Sequence, residues 1–329
     1  MKINIITPLL AVVSALCTTS CGNPEQKIRL KVIDESGTPI KDAKCMACWW
    51  KDVFARDTTN GDGIVEFTGR TGLSQTHVMA EVPGYYPARC YRFLMDTTKG
   101  RPAARWEPWP VELTFVMKKI IRPHPMYFVT EMNGGPSVPI PEKKLEQEYG
   151  YDLIERDWLA PHGKGKMADF LLTASHEKPG DTVNQPNGWI RLRFSNPQDG
   201  VIEYKNASFG GSILEGPHEA PESGYQAEFK FPNWFDDAIQ TLRKEHKWSP
   251  SMYVFRIRTV TDPSGKVVSS RYGKLPGGIH GWLSPRRPSV VLTYYLNGAD
   301  NDRGLEWDMK NNLFKDLQGK CALMDGNRP

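Results

Sequence analysis

The chain has 329 residues, with 42 Lys and Arg against 38 Asp and Glu, which gives a formal net charge of +4. This near-neutral balance, without a long basic run, argues against nucleic acid as a partner. Gly (29) and Pro (26) together exceed their usual share of about 12%, and with many aromatic residues they favour short strands joined by turns over helices.

The first 20 residues are typical of a secretory signal. Lys2 precedes an apolar run, Ile3 to Leu16, that is shorter than the roughly 20 residues of a spanning helix. Small residues then lead to a cysteine in Thr18-Thr19-Ser20-Cys21, so the segment resembles a bacterial lipoprotein signal. The resemblance implies cleavage before Cys21, acylation of its thiol, a membrane contact through that N-terminal lipid and, with Gly22 next, a place at the bacterial outer membrane. Ordinary secretion with cleavage near the same position is the alternative.

Four cysteines remain beside Cys21 and the cleaved Cys17: Cys45, Cys48, Cys90 and Cys321. An even number in an oxidising compartment predicts disulfides, and the sequence leaves all three pairings open. Cys45 and Cys48 have the spacing of a redox motif, but they lie in a strand-like stretch, where residues three apart point to opposite faces. We therefore expect neither a bond between these two nor a catalytic pair, and no second motif completes a zinc site.

Residues 21–27 are predicted as a tether and residues 28–119 as a first domain of short strands. Lys27 to Ile33 alternates charged and apolar residues, which is the period of a half-buried strand. The Asn-Gly and Asp-Gly dipeptides within 60–63 are strong hairpin signals. Val111 to Met117 alternates again and closes the domain.

Turn residues of this domain are similar to those of a known family. The matching positions are Val32-Ile33-Asp34, Gly37, Pro39-Ile40, Ala43, the stretch from Thr59 to Phe67, and Gly84-Tyr85-Tyr86. They resemble carboxypeptidase regulatory-like (transthyretin-like) modules. That resemblance implies an Ig-like sandwich of seven strands without catalytic activity, a module that accompanies or anchors other domains.

Residues 120–141 are rich in proline and are predicted to be a linker, followed by a β-rich domain of unknown function at 142–329. We expect two helices, one from Pro141 to Trp158 and one from Trp234 to Lys247. Strands are predicted at 167–175, 188–195, 200–204, 225–231, 251–261, 266–272 and 288–296. The strands at 251–261 and 266–272 are predicted to form a hairpin about Asp262-Pro263-Ser264-Gly265. The predicted fold is mainly β, with an N-terminal Ig-like or transthyretin-like sandwich followed by a second antiparallel β domain that carries two helical insertions.

Three stretches of the second domain resemble uncharacterised bacterial envelope proteins. They are Asp157 to Lys166, Tyr272 to Gly277, and Tyr294 to Asn297 together with Asn301-Asp302-Arg303. This resemblance implies a location in the envelope and no particular activity.

No catalytic motif occurs in the sequence. A G-x-S-x-G elbow and an H-x-x-x-H pair are both missing, so we expect no catalytic residue, no metal and no cofactor. Trp49, Trp50, Trp106 and Trp109 are candidates for stacking on sugar rings, although such rings also fill sandwich cores. We expect a non-catalytic envelope lipoprotein that binds or supports a glycan or a protein partner; the alternative is a glycan-directed envelope hydrolase with its site in the second domain.

Overall fold

The structure is a computed structural model that describes residues 23–50, 53–72, 75–93, 106, 109–130, 137–176, 188–205, 211–232, 251–284 and 286–318. Within these ranges the chain forms 22 β-strands and two single turns of 3-10 helix, at Pro141–Lys143 and Lys315–Leu317. The described part of the chain is therefore mainly β, as predicted, and its strands lie in five sheets.

Seven strands and one short addition build the N-terminal unit. Their bounds are β1 (Glu25–Asp34), β2 (Lys44–Trp50), β3 (Val53–Thr58), β4 (Ile64–Arg70), β5 (Gln75–Glu81), β6 (Ala88–Phe93), β7 (Val111–Met117) and β15 (Gly211–Ser212). One sheet has the order β4-β1-β7 and the other β15-β6-β5-β2-β3. Buried side chains from both sheets share one core, so the unit is a sandwich in which β1 and β7 run parallel.

Strand β7 shows why these segments fold as predicted. Its residues alternate without exception between buried and exposed positions, with Val111, Leu113, Phe115 and Met117 facing the core. Because successive side chains of a strand point to opposite faces, this pattern places every apolar side chain of one face between the sheets. Full burial of a side chain of this size stabilises the fold by about 1.5–3 kcal/mol relative to exposure.

A turn forms between β3 and β4 and Asn60 stabilises it, but the predicted hairpin is wrong because β3 pairs with β2 and β4 pairs with β1, in different sheets. The Oδ1 atom of Asn60 accepts hydrogen bonds from the backbone N–H of Asp62 at 3.0 Å and of Ile64 at 2.9 Å. Gly63 has φ +72°, and a Cβ atom at this position would lie 2.4 Å from the carbonyl oxygen of Val32. Glycine is therefore required where the turn meets β1.

Residues 120–141 do not form the predicted linker. They contain β8 (His124–Val129) and β9 (Ser137–Pro139), each of which is paired within a sheet. Met126 and Phe128 of β8 are 0% and 2% exposed, so this segment belongs to the core. The prolines that suggested a linker are compatible with a strand here because Pro125 lies exposed within β8.

The C-terminal unit consists of three further sheets. Beside β8 and β9, its strands are β10 (Glu148–Asp152), β11 (Asp157–Trp158), β12 (Phe170–His176), β13 (Gly188–Arg193), β14 (Gly200–Tyr204), β16 (Glu228–Pro232), β17 (Met252–Thr261), β18 (Val267–Pro276), β19 (Ile279–Trp282), β20 (Ser289–Leu292), β21 (Tyr294–Asn297) and β22 (Trp307–Asn312). The sheet orders are β14-β17-β18-β21-β8-β22, β11-β10-β12-β13-β16 and β19-β20-β9. Side chains from all three sheets form one large core.

The helix predicted from Pro141 to Trp158 is wrong. A single 3-10 turn at its start is followed by β10 and β11. Tyr149, Tyr151 and Leu153 are all buried. These residues are two apart, which is the spacing of one face of a strand, whereas the helix was predicted from apolar residues about four apart. Tyrosine also favours strands. The second predicted helix, 234–247, lies outside the described residues.

Candidate functional site: a charged cleft beside the junction of the two units

A buried carboxylate joins the N-terminal and C-terminal units. Glu306 is 2% exposed and accepts hydrogen bonds from the Tyr86 hydroxyl and from the backbone N–H of Ile121, both at 3.0 Å. Nδ1 of His218 lies 2.7 Å from the other oxygen of Glu306, and its Nε2 lies 3.2 Å from Glu35 of the N-terminal unit. One side chain therefore connects four separate parts of the sequence.

The hydrogen bonds keep Glu306 ionised despite its burial. Burial by itself raises the pKa of this carboxyl, but the donors Ile121, His218 and Tyr86 outweigh that effect and hold the pKa of Glu306 below its ordinary value. The donors also fix the position of the carboxylate, because each of its oxygens has a partner.

Lys274 lies in β18 within the same junction. Burial lowers the pKa of Lys274 to about 7, and the nearby charges of Glu215 and Glu306 oppose this shift. Its Nζ atom lies 4.9 Å from the centre of the Tyr295 ring. A second lysine, Lys118, donates a hydrogen bond to the carbonyl of Gly216. The junction is thus a packed set of cations and carboxylates.

An open cleft of about 710 Å³ borders this junction. Charged and polar side chains predominate in its walls, which are formed by Arg122, Glu219, Glu222, Arg256, Lys266, Val267, Tyr272, Asp300, Asn301, Asp302 and Arg303. Two of these residues directly follow junction residues in sequence, because Arg122 comes after Ile121 and Glu219 after His218. The geometry of the junction therefore positions one side of the cleft.

The hairpin of β17 and β18 supplies the other side. Arg256 pairs with Tyr272 across the two strands, and the predicted turn at 262–265 places Lys266 at the start of β18. This turn is confirmed, because Oδ1 of Asp262 accepts the backbone N–H of Ser264 at 2.9 Å and of Lys266 at 3.0 Å.

Ion pairs hold the acidic side chains of the cleft. Asp302 lies 2.6 Å from Arg122, and Arg303 lies 3.2 Å from Glu219 and 2.7 Å from Glu222. Burial raises the pKa of Asp302, but the hydrogen bonds from Gly304 N–H and Arg122 outweigh burial and keep that pKa below its ordinary value. These side chains present both donors and acceptors in fixed positions, which suits a polar ligand.

Two carboxyl groups among the described residues have a raised pKa, and both lie outside the cleft. A glycosidase uses a pair of carboxyl groups, one of which has a raised pKa and acts as the acid. The two carboxyls are those of Asp169 and Asp199, whose pKa is raised by burial. Asp169 is bound to Arg258, and Asp199 accepts backbone N–H groups of β17, so both have structural roles.

The structure removes two of the four predicted stacking tryptophans from consideration. Trp49 is 3% exposed and donates to Oε1 of Gln26, while Trp106 is 5% exposed and donates to the carbonyl of Thr71. Their rings fill the core of the N-terminal unit or its edge and are not presented to a ligand. Trp109 is half-buried and is not part of the cleft. The side chain of Trp50 lies outside what the structure describes.

Three of the predicted disulfide cysteines are buried thiols in the structure, namely Cys45, Cys48 and Cys90. Burial raises the pKa of Cys45 to about 12, so this thiol is a poor nucleophile. Cys45 and Cys90 lie on β2 and β6, which β5 separates. Two strand spacings are about 9–10 Å, beyond the reach of a disulfide. Cys45 belongs to the core and Cys48 does not, as expected for residues on opposite faces.

Other predictions fall on residues that the structure does not describe. The lipoprotein signal with Cys21 and the fourth cysteine, Cys321, lie there. Among the described residues, no helix is long and apolar enough to cross a membrane, and no group of three or more His, Cys, Asp or Glu side chains is placed to hold a metal ion.

The sequence analysis named several residues of the cleft but did not predict that they lie together. Tyr272, Asn301, Asp302 and Arg303 all line the cleft, and all lie in the stretches that resemble envelope proteins. The residues come from five separate segments of the chain, so only the fold brings them together.

Comparison with known proteins gives structural likenesses only. No protein-family model matches the chain, and no curated protein matches it. A 3-chlorocatechol 1,2-dioxygenase from Rhodococcus opacus is 12% identical over 31% of this chain and 62% of its own, under two thirds of its length, with a TM-score of 0.24. BcpA, the major pilin subunit of Bacillus cereus, is 9% identical over 82% of this chain and 69% of its own, with a TM-score of 0.23.

A protein from Bacteroides uniformis whose name gives it a proposed carbohydrate-binding role is 9% identical, over 82% of this chain and 98% of its own, with a TM-score of 0.18. TM-scores this low carry no functional inference for this chain.

Proposed function

We propose that this protein is a lipid-anchored component of the bacterial envelope that binds a glycan in the charged cleft without catalysis. The observation that carries the proposal is the set of ion pairs along the cleft walls, such as Arg122 with Asp302 and Arg303 with Glu222. Sugar hydroxyl groups both donate and accept hydrogen bonds, so a wall that offers both in fixed positions is complementary to them.

The lining favours a sugar over an apolar ligand. Val267 is the one aliphatic side chain among the lining residues, and the Tyr272 ring is only 5% exposed. Apolar ligands and peptide side chains need hydrophobic pockets, which these residues do not supply. The lowered pKa of Asp302 keeps this carboxyl ionised at neutral pH, so it can accept hydrogen bonds from sugar hydroxyl groups.

The proposed anchor is the acylated thiol of Cys21. Strand β1 begins at Glu25, so only three residues would separate the lipidated residue from the N-terminal unit. The likeness of this unit to carboxypeptidase regulatory-like modules supports a role as a spacer. In that arrangement the N-terminal unit lies next to the membrane, and the cleft in the C-terminal unit faces away from it.

Binding to an array of bacterial and host glycans, followed by calorimetric titration, tests the proposal on the full chain solubilised in detergent. Replacement of the wall residue in Arg303→Ala removes the partner of Glu219 and Glu222 and should weaken glycan binding by about tenfold or more. The matched control is Arg29→Ala, which removes an exposed arginine of β1 that lies near Glu66 and outside the cleft. Binding by the control should equal that of the unaltered protein.

Two results would overturn the proposal. Steady release of shortened sugars from any bound glycan would favour the hydrolase alternative. Equal glycan binding by Arg303→Ala and by the unaltered protein would place the binding site elsewhere.

A further inference from the structure

We propose that the cleft selects acidic glycans, with Arg256 receiving the carboxylate of a uronic acid and Lys266 adding a second cation. This inference rests on the proposed glycan binding and names the chemical class of the ligand. It follows from the balance of charge in the cleft, from the environment of Arg256 and from the exposure of Lys266.

The acidic side chains of the cleft are already bound to arginines. Asp302 and Glu219 have Arg122 and Arg303 as partners, Glu222 has Arg303, and Asp300 lies 2.7 Å from Arg271. Two cations of the lining differ from these arginines. For Arg256 and Lys266, the described part of the chain records no carboxylate within ion-pair distance. The lining holds four cations and four carboxylates and so has no net charge, but Arg256 and Lys266 are the two cations left for a ligand.

Arg256 is built into the wall of the cleft. It is 8% exposed, and its guanidinium lies 4.6 Å from the centre of the Tyr225 ring. Its Nε and Nη2 donate to the carbonyl of Gln198 at 3.0 and 2.5 Å, and Nη1 donates to the carbonyl of Glu222 at 3.1 Å. A guanidinium has five N–H groups, so two of them have no recorded acceptor within the described residues.

These contacts prepare Arg256 to bind an anion. Backbone carbonyls orient the planar group without neutralising its charge, and the stacked ring limits its rotation. The charge of Asp199 interacts with that of Arg256, but the Asp199 carboxylate already accepts hydrogen bonds from the backbone N–H groups of Arg258 and Thr259. An ordered, partly desolvated guanidinium gains more from a carboxylate than a flexible surface arginine does, because less entropy is lost on binding.

Lys266 is the second cation of the lining without a carboxylate partner among the described residues. Its backbone is fixed by Asp262, but its side chain is exposed and free to follow the ligand. A polymer that repeats a carboxylate on each sugar can contact both cations, whereas a single acid can contact one. A uronic-acid oligosaccharide satisfies both charges and still uses the hydroxyl-binding walls.

Calorimetric titration of the full chain with trigalacturonate, with its methyl ester and with neutral galactotriose tests the inference. Trigalacturonate should bind about tenfold or more tightly than the ester, because esterification removes the charge and leaves the sugar in place. Lys266→Ala should weaken trigalacturonate binding by about threefold and Arg256→Lys by about tenfold, and each should weaken binding of the ester by less, so that the ratio of the two affinities falls. The control Lys310→Ala removes an exposed lysine of β22 and should change neither ligand.

Lys266→Ala alters an exposed side chain, so its result does not depend on refolding of the core, and circular dichroism checks the fold of Arg256→Lys. Equal affinity for acid and ester, or an unchanged ratio of these affinities in both variants, overturns the inference.

If neutral galactotriose binds and Arg303→Ala abolishes that binding, the proposed glycan function stands while the acidic preference fails. If none of the three oligosaccharides binds, the acidic preference fails, and the glycan array decides on the proposed glycan binding separately. Competition by sodium acetate alone at equal carboxylate concentration would mean that the site recognises the acid without the sugar, and would also overturn the inference.

Discussion

Tyr86 and Glu306 lie 220 residues apart in the sequence and are joined by a 3.0 Å hydrogen bond from the tyrosine hydroxyl to the carboxylate. The tyrosine belongs to the segment that leaves β5 of the N-terminal unit, and the carboxylate precedes β22 of the C-terminal unit. Both side chains are buried. The two units are therefore connected by a specific polar contact, and the cleft lies beside it.

Loss of the Tyr86 hydroxyl should destabilise the protein. A hydrogen bond to a charged group contributes about 1.5–3 kcal/mol, so Tyr86→Phe should lower the free energy of unfolding by that amount. Urea denaturation followed by circular dichroism measures the change. Tyr85→Phe is the matched control, because no hydrogen bond of the Tyr85 hydroxyl is recorded, and it should change the free energy by less than about 0.5 kcal/mol. Equal effects of the two variants would mean that the contact with Glu306 is unimportant.

The stability contributed by Lys274 should depend on pH. Its pKa is about 7 in the folded protein and 10.5 in the absence of the fold, so between these values the unfolded chain binds more protons. Stability therefore rises with pH across this window. The variant Lys274→Met should be more stable than the unaltered protein at pH 7, and the difference should shrink as the pH approaches 10.5. The charges of Glu215, Lys118 and Glu306 also influence the pKa of Lys274, and these three residues are present in the unaltered protein and in Lys274→Met alike.

Urea denaturation at several pH values from 7 upwards measures this difference. Lys310→Met, which removes an exposed lysine, should give a difference from the unaltered protein that is the same at every pH. A constant difference for Lys274→Met as well would contradict the lowered pKa of Lys274.

Removal of Arg258 should be far more damaging than removal of Arg271. The two arginine side chains have nearly equal exposure, 22% and 23%, but the partner of Arg258 is Asp169, which is 0% exposed, and the partner of Arg271 is Asp300, which is 58% exposed. Arg258→Ala leaves a buried carboxylate without its cation, at a cost of about 3–5 kcal/mol. Arg271→Ala breaks a surface pair worth about 0–1 kcal/mol. Thermal unfolding compares the two, and similar melting temperatures would argue against the importance of burial here.

The proposed anchor can be tested in growing cells. Cys21→Ala should abolish incorporation of a clickable palmitate analogue and release the protein from the membrane fraction, because acylation requires the thiol at the cleavage site. Cys17→Ala is the control, since Cys17 lies within the segment that would be removed, and it should keep full labelling. Loss of label in both variants, or in neither, would contradict acylation of Cys21.

Short-range signals in the sequence predicted the turns and many strands well. The Asp262 hairpin is confirmed, and a turn also forms at Asn60, because in both places a side chain accepts backbone N–H groups a few residues further on. The two strands that flank Asn60 join different sheets instead of forming the predicted hairpin, because their pairing depends on distant parts of the chain. The predicted strand at 200–204 coincides with β14. In contrast, the predicted single strand at 288–296 is divided at Thr293 into β20 and β21, which belong to different sheets.

Long-range relationships could not be predicted in the same way. The segment around Tyr149 has apolar residues at a spacing that fits either a helix or a strand, and pairing with β12 determines the outcome. The proline-rich segment with Met126 forms a strand because β21 and β22 flank it. The contacts of Glu306 and the walls of the cleft depend on the same distant pairings, so no short-range pattern in the sequence predicts them.

Strand β15 has a consequence for how the protein matures. Gly211 and Ser212 pair with Arg89 and Ala88, so one edge of a sheet in the N-terminal unit is completed by residues made more than a hundred positions later. During synthesis and export, the sandwich emerges with the β6 edge open to other chains. A nascent polypeptide that stalls before Gly211 would thus present an unprotected template for aggregation, whereas the finished polypeptide covers it with its own later segment.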